Sequence, residues 1–514
     1  MTEPARPRDG AAPEARPARE RVAMLVNNPC TNDSRVIREA EALAAAGHQV
    51  TVLARQAPAL ATEETVNGVT YLRTAGVVEP WLPTRRRQAA WRAALRERRR
   101  LDPGRPALTP LALLAYACTW RRAGAAPAKS AVLPASAAPA VPAASAADTA
   151  TAAPAATAPP ADAAAGAASP RAGRPGGPLG LLRKALRRPW SYAQRAVTPV
   201  IVFEDLDLAM AAPLDALRPT VVHAHDLLTL PTAARAARRL GARLVYDSHE
   251  LELHRNAPYS ALGQWWRARM ERRHIGSADL VITVSDSIAD HLAAQYRIPR
   301  PLVVLNAPSF DRQAGSSAPT LRARLELEPA TPLAVYVGRV TFGRGLEFCV
   351  RALLHDPALH IAAVGPREDA TQQRLRRLAA ELGVESRFHL VDPVPPETVV
   401  PFIRDADVSL LPIQNVCLSY YYCMPNKLLE SVMGGLPVAV ADLVELRRFV
   451  ERNRCGVVMD ETDPASIARA IRRICDDRAA YRLDEAQIDA VKRRYSWETQ
   501  ARGLLAHYPG GTPA

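Results

Sequence analysis

The sequence has no long apolar run. Its longest strongly apolar stretch, residues 111–120, is about ten residues. A helix needs about 20 to cross a bilayer, so no transmembrane helix is expected. The first residues mix Pro, Arg, Glu and Asp without an apolar segment, and do not read as a signal peptide. Cysteine is sparse and unpatterned: Cys30, Cys118, Cys349, Cys417, Cys423, Cys455 and Cys475 are an odd number with no C-x-x-C pair. That argues against a disulfide framework or a structural zinc and favours a reducing cytoplasm. No His/Cys cluster has metal-ligand spacing, so no metal and no cofactor are expected.

What is present points to a large globular protein. A chain of 514 residues exceeds one ordinary core and suggests two domains. Its net charge of +14 resembles a nucleic-acid signal until it is localised. Residues 84–198 carry 19 Lys/Arg against 4 Asp/Glu, more than the whole surplus, so the remainder is close to neutral. Within this stretch, residues 123–178 are almost wholly Ala, Pro, Gly, Ser and Thr, a composition that builds no core and reads as disordered. Two readings of 84–198 stay open: a solvated low-complexity insertion, or an anchor on an anionic membrane surface. For the anchor, Trp91, Trp120, Trp190, Leu181, Leu182 and Leu186 lie beside the charge. Nucleic acid is disfavoured as a partner, because no recognition motif accompanies the charge.

Elsewhere apolar strands alternate with helices. RVAMLVNN (21–28) is a buried strand, RVIREAEALAAAG a helix stopped by Gly47, and HQVTVLAR a second strand, which makes a βαβ unit. The pattern resumes at TVVHAHD and runs through LVYDSHE and DLVITVS to LVVLN. A second series follows in PLAVYVGRV, LHIAAVG, RFHLVD, VSLLPI and PVAVAD. The expected fold is α/β: two doubly wound, Rossmann-like domains facing each other across a cleft. The expected organisation is a disordered tail at 1–20, a first domain over 21–312 interrupted by the 84–198 insertion, a second over 313–487, and a C-terminal segment at 488–514.

Chemistry concentrates in the second series. Gly338-Arg339 ends an apolar strand, with Arg344-Gly345 close behind. Carboxyl ends of strands are where doubly wound sheets take ligands. Two arginines there can grip a diphosphate, or they are solvated loop residues. In MPNKLLESVMGGLPVAVAD, Pro425 is expected at the first helical position, leaving the amides from Asn426 onward free for an anion, with Lys427 adding charge. Glu430, one turn on, is expected to face the same cleft and to accept from a sugar diol, or is an ordinary solvated carboxylate. Cations and a helix start suit stabilisation of a departing pyrophosphate. In the first series, strand-end His225 is the candidate histidine. His223, two residues earlier, is expected on the opposite face and structural. Glu250 is a further cleft candidate, ahead of Asp247 and His249. The D-x-D strings at Asp205/Asp207 and Asp405/Asp407 read as incidental.

From VYVGRVTFGRGLE through PNKLLESVMGGLPVAVADLVELRRFVERNRCGVVMD, the chain resembles the donor-binding domain of retaining GT-B enzymes of glycosyltransferase family 4. DSRVIREAEALAAAGHQVTVLA, VVHAHD, LVYDSHE and ADLVITVS resemble their N-terminal, acceptor-binding domain. The resemblance covers roughly 21–80 and 200–508. It implies that Arg339 and Arg344 contact the donor diphosphate, with Arg344 standing where lysine is more usual, and that Glu430 binds the nucleotide ribose. It implies that His225 lies beside the anomeric centre, that Pro393–Pro395 lies near the nucleobase, and that a helix around Trp497 crosses back to the first domain. The first glutamate of the family's E-x7-E motif is replaced here by Tyr422. The family's Gly-Gly turn is replaced by NNPCTNDSR, so Asn32, Asp33 or Arg35 is placed to touch acceptor or phosphate.

The resemblance therefore implies a retaining glycosyltransferase with a nucleotide sugar as donor and a glycan or lipid-linked acceptor. It would serve cell-surface polysaccharide or glycolipid assembly in the cytoplasm or on the inner face of the membrane. A nucleotide-sugar epimerase or hydrolase on the same fold, and a non-catalytic binding or scaffold protein, remain the alternatives.

Overall fold

The computed structural model describes residues 19–76, five positions between 93 and 101, and 202–508 apart from 258, 310–318 and 396–397. The expectations for the N-terminal tail, for nearly all of the basic stretch 84–198 and for the boundary near 312 fall outside the described residues.

The described strands form two sheets. The first contains β1 (Arg21–Leu25), β2 (Gln49–Arg55), β3 (Glu63–Val66), β4 (Val69–Thr74), β5 (Val221–His225), β6 (Arg243–Ser248), β7 (Leu280–Thr283) and β8 (Leu302–Val303). Their order is 3-4-2-1-5-6-7-8. The second contains β9 (Leu333–Val337), β10 (His360–Val364), β11 (Phe388–Val391), β12 (Val408–Leu411), β13 (Val438–Ala441) and β14 (Gly456–Met459), in the order 11-10-9-12-13-14. Every pairing is parallel except the β3–β4 hairpin. That hairpin is absent from the sequence-based expectation. Its turn is Asn67-Gly68, both at positive φ (51° and 78°), the conformation a two-residue hairpin needs.

The strands are parallel because helices return the chain across both faces, so β1, β5, β12 and β13 are buried almost throughout. The helix Ser34–Ala45 is typical of these crossovers. Asp33 caps its start by accepting from the Val36 amide, and Val36, Ala40 and Leu43 pack on the sheet. A helix over 202–217, also not anticipated, buries Phe203, Leu206, Met210 and Leu214.

Strand order reverses between β1 and β5 in the first sheet and between β9 and β12 in the second. At such switch points neighbouring loops leave in opposite directions and open a crevice at the carboxyl edge. The two crevices face each other because the halves are bonded together. Ser287 N donates to Glu445 (2.9 Å) and Ser285 Oγ donates to the Tyr422 carbonyl (2.7 Å). The helix Glu485–Tyr495 packs on Asn426–Met433, and Trp497–Leu505 then packs on Ser34–Ala45 in the other half. Among the described residues, no helix is long and apolar enough to cross a membrane.

Glycine sets the crevice floor of the second sheet. Gly365 (φ 145°) passes so close to Gly338 that an added Cβ would lie 2.2 Å from the Gly338 carbonyl oxygen. Gly365→Ala should therefore destabilise by about 2–4 kcal/mol. Gly383→Ala also has positive φ but meets nothing within 4 Å, and should cost about 1 kcal/mol. Thermal melts of the two variants measure the difference; equal melts would show that the close approach is not a constraint.

Candidate functional site

On the second sheet, the loop after β9 carries both arginines and is fastened on each side. Val340 N donates to the Pro366 carbonyl (2.9 Å), and Gln414 N to the Gly343 carbonyl (3.3 Å). Gly345 (φ 70°) sits against the Pro412 carbonyl, where a Cβ would lie 2.2 Å from oxygen. The two arginines part company on this loop. Arg339 is exposed. Arg344 turns inward, its guanidinium carbon 4.9 Å from the Tyr420 ring centroid. Arg344 Nε is buried without a hydrogen-bond partner, and among the described residues no carboxylate pairs with this side chain.

Beside Arg344 lies the start of the helix Asn426–Met433. Pro425 is its N-cap rather than its first helical residue, one position earlier than expected, and no side chain caps it. Its first amides are thus left open, the condition for an anion at a helix N-terminus. Lys427 leans over the end of β9: its Cε would lie 3.7 Å from a Cβ built on Gly338. Glu430 is half-buried one turn on, and its carboxylate has no partner among the described residues.

The facing wall comes from the first sheet and is charge-dense. Asp247, at the end of β6, is wholly buried. Arg35 grips it bidentately, Nε to Oδ2 at 2.6 Å and Nη2 to Oδ1 at 2.8 Å, and also donates to the Val304 carbonyl at 2.7 Å. His249 Nε2 lies 3.1 Å from Asp247 Oδ2 and 3.1 Å from His225 Nδ1. Burial opposes the ionisation of Asp247, yet Arg35, His249 and the imidazole hydrogen bonds hold it well below the ordinary carboxylate range. Burial likewise opposes a charge on His249, but Asp226 and Asp247 override it and raise its pKa to about 10. Behind this pair, Glu39 is raised by burial and by the Asp247 charge, with Arg35 Nη2 3.2 Å away as partial compensation.

The expectation that His223 faces away from His225 is overturned. Residues two apart on a strand share a face, and the His223 and His225 rings stack with centroids 4.3 Å apart. Both are buried, and both have pKa values pushed down, first by loss of solvent. His223 Nδ1 is 2.9 Å from the Tyr508 hydroxyl on the returning C-terminal segment. Glu39, His223, His225 and Asp247 bring one donor atom each within 4.8 Å of one another, a ligand set of the kind metals use. Arg35, however, already occupies both oxygens of Asp247 and reaches Glu39, so a cation there would have to displace a guanidinium.

The two walls enclose a cleft of about 280 Å³. Asp33, Arg35, His249, Glu250 and Asn306 line it from the first half. Arg344, Ser419, Tyr420, Met424, Pro425 and Asn426 line it from the second. The structure thus brings together Arg344, Pro425, Asn426, Asp33, Arg35 and Glu250 of the sequence candidates. His225 stands behind His249, fully enclosed, while Asn32 is exposed on its loop. Gly338, Arg339, Lys427 and Glu430 are not among the residues lining this cavity. Glu250 pairs with Arg255 at 3.1 Å. Tyr420 and Asn306 were not singled out from sequence, and His249 was ranked below Glu250. Only position at a strand end or beside a motif could have marked them.

Both D-x-D strings are held by basic side chains within their own domains. Asp205 pairs with Arg55 at 2.7 Å and Asp207 accepts from Arg235 at 3.0 Å. Asp407 accepts from the Leu333 amide at 2.7 Å and pairs with Arg478 at 2.6 Å.

Two families match the chain: Glycosyltransferase Family 4 over residues 162–307, and Glycosyl transferases group 1 over residues 331–477. Together they take in more than half of it. Among curated relatives, a D-inositol 3-phosphate glycosyltransferase of Acidothermus cellulolyticus is 30% identical over 313 residues, 56% of this chain and 66% of the relative. One from Nocardia farcinica is 29% identical over 302 residues, with the same two coverages. The chain thus spans slightly under two thirds of the length of these relatives. Among solved structures, sucrose-phosphate synthase from Thermosynechococcus elongatus superposes with a TM-score of 0.61 at 17% identity. The match covers 95% of this chain and 98% of that one, a likeness of fold.

The His249 charge makes stability pH-dependent. Its folded pKa is raised, so its contribution is full below the ordinary imidazole value near 6.5 and is lost as pH rises toward about 10. Melting temperature should therefore fall between pH 6.5 and 10, and His249→Gln should flatten part of that fall. Parallel slopes for the two proteins would contradict a charged His249.

Proposed function

This chain belongs to glycosyltransferase family 4, within the group 1 glycosyl transferases, and on that footing we propose that it moves a sugar from a nucleotide-diphosphate sugar to an acceptor hydroxyl with retention at the anomeric carbon. The setting we propose is cell-surface polysaccharide or glycolipid assembly. The observation that carries the reading is Arg344. It is a cleft-facing cation with a buried N–H that has no partner, and no carboxylate to neutralise it, among the described residues, set beside an uncapped helix start. Such a pair suits a diphosphate whose charge grows as the anomeric bond breaks, because both are in place before the reaction begins.

In this reading Arg344 and the amides of Asn426 and Lys427 hold the leaving group, with the Lys427 ammonium and Arg339 at its outer edge. Glu430 takes the ribose diol. The acceptor enters over the first-half wall, past Asp33 and Glu250, and attacks on the face the leaving group departs from. The departing phosphate accepts the acceptor's proton, so no enzyme nucleophile is required. His225 and Asp247 act by holding His249, which supplies positive charge on the acceptor side. Tyr422 does not substitute for the missing glutamate. Its carbonyl accepts from Ser285 and its ring packs into the first-half core, which makes it a joint between the halves. Tyr420 does line the cleft, which supports giving it the contact with the donor sugar.

Arg344→Ala should lower turnover about 100-fold or more while leaving the melting temperature nearly unchanged. Arg344→Lys should recover part of the loss, since charge survives but the forked geometry does not. Nucleotide release from a donor panel with a lipid extract as acceptor source, followed by mass spectrometry of the products, checks both rate and reaction type. Isomerised or hydrolysed sugar without transfer would favour an epimerase or hydrolase. Calorimetric silence toward UDP, GDP and ADP would favour a scaffold.

A further inference from the structure

The helix Ala261–His274 buries charged side chains alongside apolar ones: Arg267, Glu271 and His274 together with Gly263 and Met270. Arg267 stacks 4.1 Å from the Tyr259 ring centroid, and Glu271 accepts from the Tyr246 and Tyr296 hydroxyls at 3.1 and 2.7 Å. The outer side carries what a core would ordinarily take: Leu262 is 36% exposed and Trp265 55% exposed. Further along the same side stand Arg269, Arg272 and Arg273, all exposed, and among the described residues no carboxylate pairs with any of them. A groove of about 550 Å³ runs between Trp265 and these arginines, with Ala268 in its lining.

The helix follows in sequence a segment that borders the cleft. Glu250 lines the cleft, and Asn256 reaches the opposite half, where its Nδ2 would lie 3.2 Å from a Cβ on Gly343. Four residues later Ser260 caps the helix, accepting from the Gly263 amide.

We propose that this face docks on an anionic lipid bilayer, with Trp265 and Leu262 at headgroup depth and the three arginines on lipid phosphates. Indole rings favour the membrane–water boundary, and guanidinium forks match phosphate oxygens. Two apolar side chains beside arginines that no described carboxylate pairs, one of them 5.8 Å over the Trp265 ring, fit that surface better than a protein partner, whose stable interface would need a far wider apolar centre. The docking does not rest on the transferase reading.

The test is co-sedimentation of the full chain with vesicles of phosphatidylcholine alone and of phosphatidylcholine mixed with phosphatidylglycerol. The mixed vesicles should capture the protein and the neutral ones should not. The triple variant R269E/R272E/R273E should lower capture at least about tenfold, and L262A/W265A should lower it severalfold. The control R324E/R376E/R377E changes the net charge equally at exposed sites in the other half, and should bind nearly as well as the parent. Equal losses in the two triple variants would overturn the proposal, as would capture that survives both sets at the helix. Retention on a heparin column that depends on the same three arginines, without vesicle capture, would assign the face to a soluble polyanion instead. Nucleotide titration of every variant should match the parent. Loss of nucleotide binding in the parent would remove the transferase reading and leave the vesicle result intact.

Discussion

The carboxylate of Asp247 is wholly buried, and one wall of the cleft is organised around meeting its charge. A lone buried carboxylate is untenable, and removing one partner of such a pair costs about 3–5 kcal/mol. Arg35 meets it bidentately from the first helix, and His225 and His249 meet it from β5 and from the loop beyond β6. These contacts tie together segments more than 200 residues apart and fix the one imidazole that reaches the cleft. The network continues to His223 and, through the Tyr508 hydroxyl, to the returning C-terminal segment. Seating of that segment and shape of the wall are therefore one problem.

The opposite wall follows a different electrostatic rule. Its backbone is held as tightly, by glycines that let β9, β10 and the Pro412 carbonyl approach closely, but its cations are not neutralised. Among the described residues, Arg344 has an aromatic ring beneath it and no carboxylate beside it, and the helix after Pro425 has no capping side chain. Charge is balanced on the first wall and left available on the second. In the proposed transfer, a diphosphate whose charge grows as the anomeric bond breaks would be served by this asymmetry, because a pre-neutralised arginine would have to break its own pair first.

Family membership and fold constrain the chemistry without naming its substrates. The two relatives described act on an inositol phosphate by name, yet slightly less than two thirds of their length is covered, and one loop bordering the cleft here is NNPCTNDSR. In that loop Asp33 caps the following helix while also lining the cleft.

Much of the architecture was legible in the amino-acid order, because parallel strands buried on both faces must be written as continuous apolar runs separated by helical repeats. The two sheets, the arginine pair after β9 and the helix start at Pro425 follow from that local grammar. The β3–β4 hairpin escaped it because its outer strand, EETV, is wholly exposed and carries no apolar signature. The separate fates of Arg339 and Arg344 escaped it too. Five residues apart on one loop, they are chemically identical, and only the ring of Tyr420, brought in from beyond β12, turns one of them inward. Likewise the choice of His249 over His225 as the residue at the cleft surface depends on which strand end stands in front, a matter of packing between segments that sequence order does not encode.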